Sequence, residues 1–174
     1  MRLESDRLIL RPWQAAEVDR LLDIRGREEV AKWLATAEPW TDRGAAIARI
    51  EAWQAAAERN DPFGELAIVP RSTRIPSGTV NIGTIGETDD VDIGWLLHPD
   101  ATGFGYASEA ATMLLDHARR AGVGTVHAIM WPHNHASAAV AERVGMTDLG
   151  VVDDPWYGTP EEPTSRMFRI DLGE

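Results

Sequence analysis

The chain has no cysteine. Disulfides, thiolate metal sites and a cysteine nucleophile are therefore excluded. Lysine is almost as scarce: Lys32 is the one lysine in 174 residues. A Walker-type phosphate loop needs Gly-Lys-Ser/Thr and cannot be assembled here. No apolar run approaches the roughly 18 residues of a membrane-spanning helix. The stretch Met1–Asp6 has no signal-peptide apolar region. The chain reads as cytoplasmic, with no membrane partner. Positive charge is also short, with 17 Lys+Arg against 28 Asp+Glu and a net charge of -11. Residues 1–60 carry 11 acids and 10 bases, so the excess falls on residues 61–174, with 17 acids and 7 bases. Nucleic acid is a poor partner for such a surface, because binding it requires a basic face that displaces counterions. A cationic small substrate or basic peptide suits it better, and acidity also serves plain solubility.

What is present is ordinary for a folded protein: 44% hydrophobic and 26% charged residues. The length suits one domain spanning residues 1–174. Leu8-Ile9-Leu10 predicts a short strand ended by Pro12. Val18, Leu21, Leu22 and Ile24 predict a helix stopped at Gly26, and residues 28–34 a short second one. A third helix follows the candidate cap Thr41 and ends at Asp61-Pro62. The pattern then changes to three strands, 63–69, 78–86 and 91–98, joined as an antiparallel meander. Ala107, Ala110, Ala111, Leu114, Leu115 and Ala118 form the clearest helical stripe in the chain. A strand at 125–131, a helix at 134–144 and closing strands at 146–152 and 165–172 complete the order. The result is an α+β fold on a mixed sheet of about seven strands. The helix after Gly105 is a crossover, so the strands it joins should be parallel.

The most informative segment is the strand–turn–helix from Trp95 to Ala107. Gly103 and Gly105 let backbone N–H groups converge at a helix N-terminus, which suits a diphosphate. A dinucleotide fingerprint fits poorly. Ser108 stands where a third glycine or alanine is wanted, and the 125–131 strand ends without an acid. Three antiparallel strands also precede the turn.

At these residues the chain resembles the GNAT acetyltransferase superfamily. It is most similar to the branch that acetylates N-terminal amino groups of ribosomal proteins and related amines. The matching stretches are Leu8–Pro12, Asp92-Ile93-Gly94-Trp95, Gly103–Ala110, Asn134–Ser137 and Glu142–Met146, in the family's order along most of the chain. The resemblance implies a GNAT fold, with flanking helices and a splayed parallel pair of strands. It implies acetyl-CoA as donor. Leu97, Gly103, Phe104, Gly105, Tyr106 and Ala107 match the cofactor positions, and Asn134 matches the residue that binds the cofactor arm. It implies Ser137 as the hydroxyl that protonates the leaving thiolate. Many members use a tyrosine for that step, at a position that here is Ala141. Asp92 stands where the branch often has an acid, and is the first candidate base. Glu65 and Asp90 are the alternatives. Backbone N–H groups around Leu96–Leu97 would hold the oxyanion.

Two departures stand out. The family's phosphate loop usually opens with Arg or Gln where this chain has Asp100, so the Asp100 side chain should point away from the loop. Arg119, Arg120 and Arg143 are candidates for the 3′-phosphate. Together with Ala141, Asp100 keeps open a second reading, a non-catalytic acyl-CoA sensor or partner-binding module. Asn134 would also serve as a plain helix cap, and Ser137 as a small packing residue. Trp13, Trp33, Trp40 and Trp131 are candidates for an acceptor wall. His133 and His135 have too few companions for a metal site, so none is expected. The acceptor is expected to be a primary amine, cationic and peptide or small molecule. Glu87, Asp89, Asp90 and Asp92 at the hairpin leading into the third meander strand, and Asp153, Asp154, Glu161 and Glu162 in the loop between the last strands, would lie toward it. A homodimer is common in this branch.

Overall fold

The computed structural model describes residues 1–34, 38–58, 63–85, 88, 90–153 and 162–173. One eight-stranded sheet runs through it. Its strands are β1 (Leu3–Glu4), β2 (Leu8–Arg11), β3 (Gly64–Pro70), β4 (Gly78–Thr84), β5 (Val91–Leu97), β6 (Thr125–Met130), β7 (Thr147–Asp153) and β8 (Thr164–Asp171). Their spatial order is β1-β2-β3-β4-β5-β6-β8-β7. Neighbours are antiparallel except β5 and β6, which are parallel. This is the mixed, mostly antiparallel sheet with one parallel pair that the sequence predicts. A second crossover, through the helix at His135–Arg143, joins β6 to β7 with β8 inserted between them. Seven strands lie within two residues of expectation. The eighth, β1, is two residues long, too short to show alternation.

Among the described residues five α-helices pack with the sheet: α1 (Val18–Arg25), α2 (Glu28–Ala31), α3 (Arg43–Glu58), α4 (Tyr106–Arg120) and α5 (His135–Arg143). Two cores result, one on each face. On one, Leu114, Leu115 and Ala141 meet Ile68, Val80, Ile93 and Phe168. On the other, Trp13, Val18, Leu21, Ile24 and Ile50 meet Ala67 and Val69. The stripe predicted on α4 is buried throughout, from Ala107 to Ala118. Its alanines leave room for the helix backbone to lie close to the sheet. Helix α3 is capped by Asp42, one residue beyond the expected Thr41, since Asp42 Oδ1 accepts the Ala45 N–H at 3.0 Å.

Candidate active site

The pairing of β5 with β6 is short. It covers Val91 with Val126 and Asp92 with His127. Beyond Asp92 the two strands diverge, and β5 runs on to Leu97 paired only with β4. The direction of its free groups follows from alternation. The His98 N–H donates to Ser77 O at 2.8 Å, on the β4 side. Hence the N–H groups of Leu97 and Trp95 face the gap. A cavity of about 1170 Å³ occupies this gap and extends over both faces of β5. Its wall includes Asp92, Leu97, the turn Thr102–Ala107, Asn134 and Ser137. The structure thus brings together on one cavity Asp92, Asn134, Ser137 and the matched cofactor positions Leu97 and Gly103–Ala107, whereas Asp90, Arg119 and Arg120 are not part of its wall.

The cofactor end is built from backbone. Gly103 and Gly105 have φ of +83° and +78°, a region where a side chain is strained. Gly105 is the N-cap of α4, so the free N–H groups of the helix open beside the loop. Asp100 faces elsewhere, as expected. Its carboxylate takes the Arg20 guanidinium at 3.1 Å and lies 2.6 Å from His98 Nδ1. Desolvation pushes the Asp100 carboxyl up, but hydrogen bonds from His98 and Arg20 outweigh it and hold it below the usual range. Of the three candidate arginines, Arg143 lines the cavity and donates to Ser108 Oγ at 2.9 Å. Arg119 donates to the Leu172 carbonyl at 3.1 Å, outside this cavity, and Arg120 is exposed. A cation that sequence reasoning missed, Arg7, lies behind the loop and donates to the Phe104 carbonyl at 3.1 Å. The two residues are 97 positions apart, which no local pattern reveals.

The candidate reacting groups sit where the strands part. Asn134 is buried and caps α5, its Oδ1 accepting the Ser137 N–H at 3.1 Å. It is both a helix cap and part of the cavity wall. Ser137, three residues on, reaches the same wall. Ala141 is fully buried in the α4/α5 core, away from the cavity. Asp92 is the acid at the fork of β5 and β6. Burial pushes its carboxyl up to about 6, against a smaller pull from its own backbone N–H. Of the alternatives, Asp90 is exposed and outside the wall, whereas Glu65 lies in it.

The opposite end of the cavity, the candidate acceptor side, is built from side chains. Glu65, Asn81 and Gly94 stand in register across β3, β4 and β5. The Asn81 side chain covers Gly94 so closely that a Cβ there would meet its Oδ1 at 2.5 Å. Arg25, at the end of α1, pairs with Glu65 and lies over the rings of Trp40 (4.6 Å) and Trp53 (5.7 Å). Desolvation raises the Glu65 carboxyl, opposed by Arg25. Gly26 permits this packing, since a Cβ would meet Leu22 O at 2.6 Å and Trp40 O at 2.8 Å. Trp33 and Trp40 line the cavity. Trp13 and Trp131 do not: they are 0% and 5% exposed and fill the interior. Arg25 and Asn81 were not singled out in the sequence. An asparagine opposite a strand glycine was the available signal for Asn81.

The acidic clusters have a mixed outcome. Glu87, Asp89, Asp154 and Glu161 lie outside the described residues. Asp90 and Asp153 are exposed, and Glu162 is 3.3 Å from His133 Nδ1. The acids in the cavity wall are Glu29, Glu65 and Asp92. Among the described residues no three His, Asp or Glu groups gather as a metal site, and none of the helices is long and apolar enough to cross a membrane.

Known proteins share this architecture. The acetyltransferase (GNAT family) from Bacillus anthracis superposes with a TM-score of 0.83 at 19% identity, covering 100% of both chains. An acetyltransferase from Salmonella typhimurium that modifies the N-terminal serine of ribosomal protein L7/L12 gives 0.80 at 19%, covering 98% of this chain and 99% of its own. The microcin C7 self-immunity acetyltransferase MccE, solved with acetyl-CoA and AMP, gives 0.79 at 19%, covering 96% and 93%. At such identities the likeness establishes the fold. The family model of the acetyltransferase (GNAT) domain matches residues 7–147, a span from the start of β2 to the start of β7 that contains the whole cavity wall, and the chain belongs to that family.

Proposed function

We propose that the protein transfers the acetyl group of acetyl-CoA to a primary amine, a peptide N-terminus or a small cationic amine, by direct attack. The observation that carries this reading is Asp92, a buried acid at the fork of a strand pair whose free N–H groups face a cavity large enough for cofactor and acceptor together. The loop Thr102–Ala107 and the N-terminus of α4 suit the diphosphate. Leu97 and Trp95 offer backbone to the pantetheine arm, and the Asn134 amide stands beside them on the wall. Acetyl-CoA supplies the activated acetyl group.

The residues divide the proton traffic. An α-amino group with a pKa near 8 arrives largely protonated at neutral pH. Asp92, with its carboxyl at about 6, is ionised there and takes that proton, directly or through water. The free Leu97 N–H stabilises the oxyanion as the new C–N bond forms. Ser137 donates a proton to sulfur as the C–S bond breaks. Its oxygen regains one from the nitrogen of the adduct, which sheds its second proton to become the amide, directly or through water. Glu29 and Glu65 near the aromatic wall favour a cationic acceptor.

The test is a thermal-shift comparison of acetyl-CoA, CoA and NAD, followed by CoA release with N-terminal peptides, polyamines and aminoglycosides. Ligand at 100 times its dissociation constant should add about 2.7 kcal/mol of stability. Acetyl-CoA and CoA should stabilise and NAD should not. No shift with either CoA species would overturn the reading. A shift without turnover on any amine would favour the non-catalytic binding module.

A further inference from the structure

The diphosphate loop has little of its own to hold it in shape. It contains two glycines in the left-handed region, and a Cβ at Gly103 would meet nothing within 4 Å. Glycine loses the most conformational freedom on ordering. Packing at Gly103 therefore does not impose its conformation. The bonds of Thr102 to the Pro99 carbonyl (2.9 and 3.3 Å) and of the Glu109 N–H to the Gly105 carbonyl (3.1 Å) tie the two ends of the loop and leave the Phe104–Gly105 peptide to be held by another group.

Arg7 is placed to do so. Its Nη1 donates to the Phe104 carbonyl at 3.1 Å, between the two glycines. Its Nε donates to Glu109 Oε2 at 2.7 Å, and its Nη2 donates to the same oxygen. The guanidinium lies 5.7 Å from the Tyr106 ring, which stacks on Phe104 at 5.5 Å. Glu109 is held in turn by the Ser5 hydroxyl at 2.6 Å, and Ser5 Oγ accepts the Leu8 N–H at 2.9 Å. A chain of bonds thus runs from the start of β2 through the first turn of α4 to the middle of the loop.

The direction of these bonds matters. In a trans peptide the C=O and N–H point opposite ways. Holding the Phe104 carbonyl against Arg7 therefore aims the Gly105 N–H away from Arg7. Gly105 lines the cavity, and Arg7 stands behind it. We propose that Arg7, oriented by Glu109, is a positioning residue that presets the Phe104–Gly105 peptide so that its N–H meets the diphosphate of CoA. The inference rests on the reading of this loop as the diphosphate site.

The experiment compares acetyl-CoA with S-acetylpantetheine, which lacks the diphosphate, in the wild type and in Arg7→Ala, Arg7→Lys and Glu109→Gln. Arg7 is 55% exposed at its side chain, so its removal should leave the unfolding midpoint nearly unchanged, which a melt checks. Arg7→Ala should raise the KM for acetyl-CoA about tenfold, the scale of one hydrogen bond from a charged donor. Its kcat/KM for S-acetylpantetheine should stay within about twofold, because that donor makes no use of the loop. Arg7→Lys keeps the charge but not the bond geometry and should remain weak. Glu109→Gln removes a negative charge, so a purely electrostatic Arg7 would bind CoA more tightly in that variant. A positioning Arg7 would bind it less tightly. Full recovery in Arg7→Lys, tighter CoA binding in Glu109→Gln, or an equal loss with both donors would overturn the inference. A wild type that shows no preference for acetyl-CoA over S-acetylpantetheine would instead remove the loop reading, and this inference with it.

Discussion

The two ends of the cavity, proposed to take cofactor and acceptor, are made differently. The cofactor end uses backbone: two left-handed glycines, a helix N-terminus and the unpaired edge of β5. The acceptor end uses side chains from separate elements, with Arg25 from α1, Glu65 from β3 and Asn81 from β4, beside Trp40. Backbone recognition suits one invariant ligand, since main-chain N–H groups are the same whatever the surface around them. Side-chain recognition can be altered residue by residue. One scaffold can therefore keep its donor and change its acceptor.

Substitutions can break this division, and the largest effect should come at the junction. Asp92→Asn should lower kcat/KM about 100-fold or more in CoA-release assays. The wild type should lose activity as pH falls through about 6, where Asp92 takes up its proton. The variant should lack that limb. The same group affects stability. The folded pKa lies above the unfolded value of 3.8, so between these pH values the folded state binds more protons than the unfolded state. Stability therefore falls as pH rises from about 4 through about 6. Asp92→Asn should flatten that decline in the unfolding midpoint.

Ser137→Ala should cut kcat about tenfold while leaving acetyl-CoA affinity unchanged. Equal turnover would remove Ser137 from the mechanism. Gly103→Ala tests the cofactor end alone. No atom blocks the added methyl, so its cost is the positive φ, about 1–2 kcal/mol. Acetyl-CoA KM should rise about tenfold, with acceptor KM unchanged. Glu65→Gln tests the acceptor end alone and should be the mildest. It should raise the KM of a cationic amine about threefold, the scale of one partly exposed charge contact. An effect of Glu65→Gln on acetyl-CoA, or of Gly103→Ala on the amine, would show that the two ends are not separable.

The cofactor end was legible in the sequence because its residues are contiguous. The glycines at 103 and 105 mark the turn, and the α4 stripe announces the helix that follows. The acceptor end was harder to read. Trp33 and Trp40 lie in the wall as expected, yet Trp13 and Trp131 sit in the interior. A tryptophan's depth depends on which elements cover it, and the strand pattern does not carry that information. Glu65 appeared only as an alternative base, because its partner Arg25 lies 40 residues earlier and meets it only on the folded sheet. Asn134 had two competing readings; the cap is formed, and because it uses the side-chain oxygen it leaves the amide nitrogen for the proposed contact with the cofactor arm.

By itself the sequence determined the order of strands and helices, the parallel crossover, the glycine turn and the candidate acid, serine and asparagine. The elements and the turn follow from short-range causes: hydrophobic period, paired glycines, proline and caps. The acid, serine and asparagine came from the resemblance of short motifs to the family. Tertiary structure alone decided where the strands part, which acids face the cavity, and what steadies the loop. Arg7 meets Phe104 across 97 residues, and Arg20 meets Asp100 across 80. Such pairs form only when the sheet closes and brings distant backbones within hydrogen-bond reach, so their geometry belongs to the fold and not to any segment of the chain.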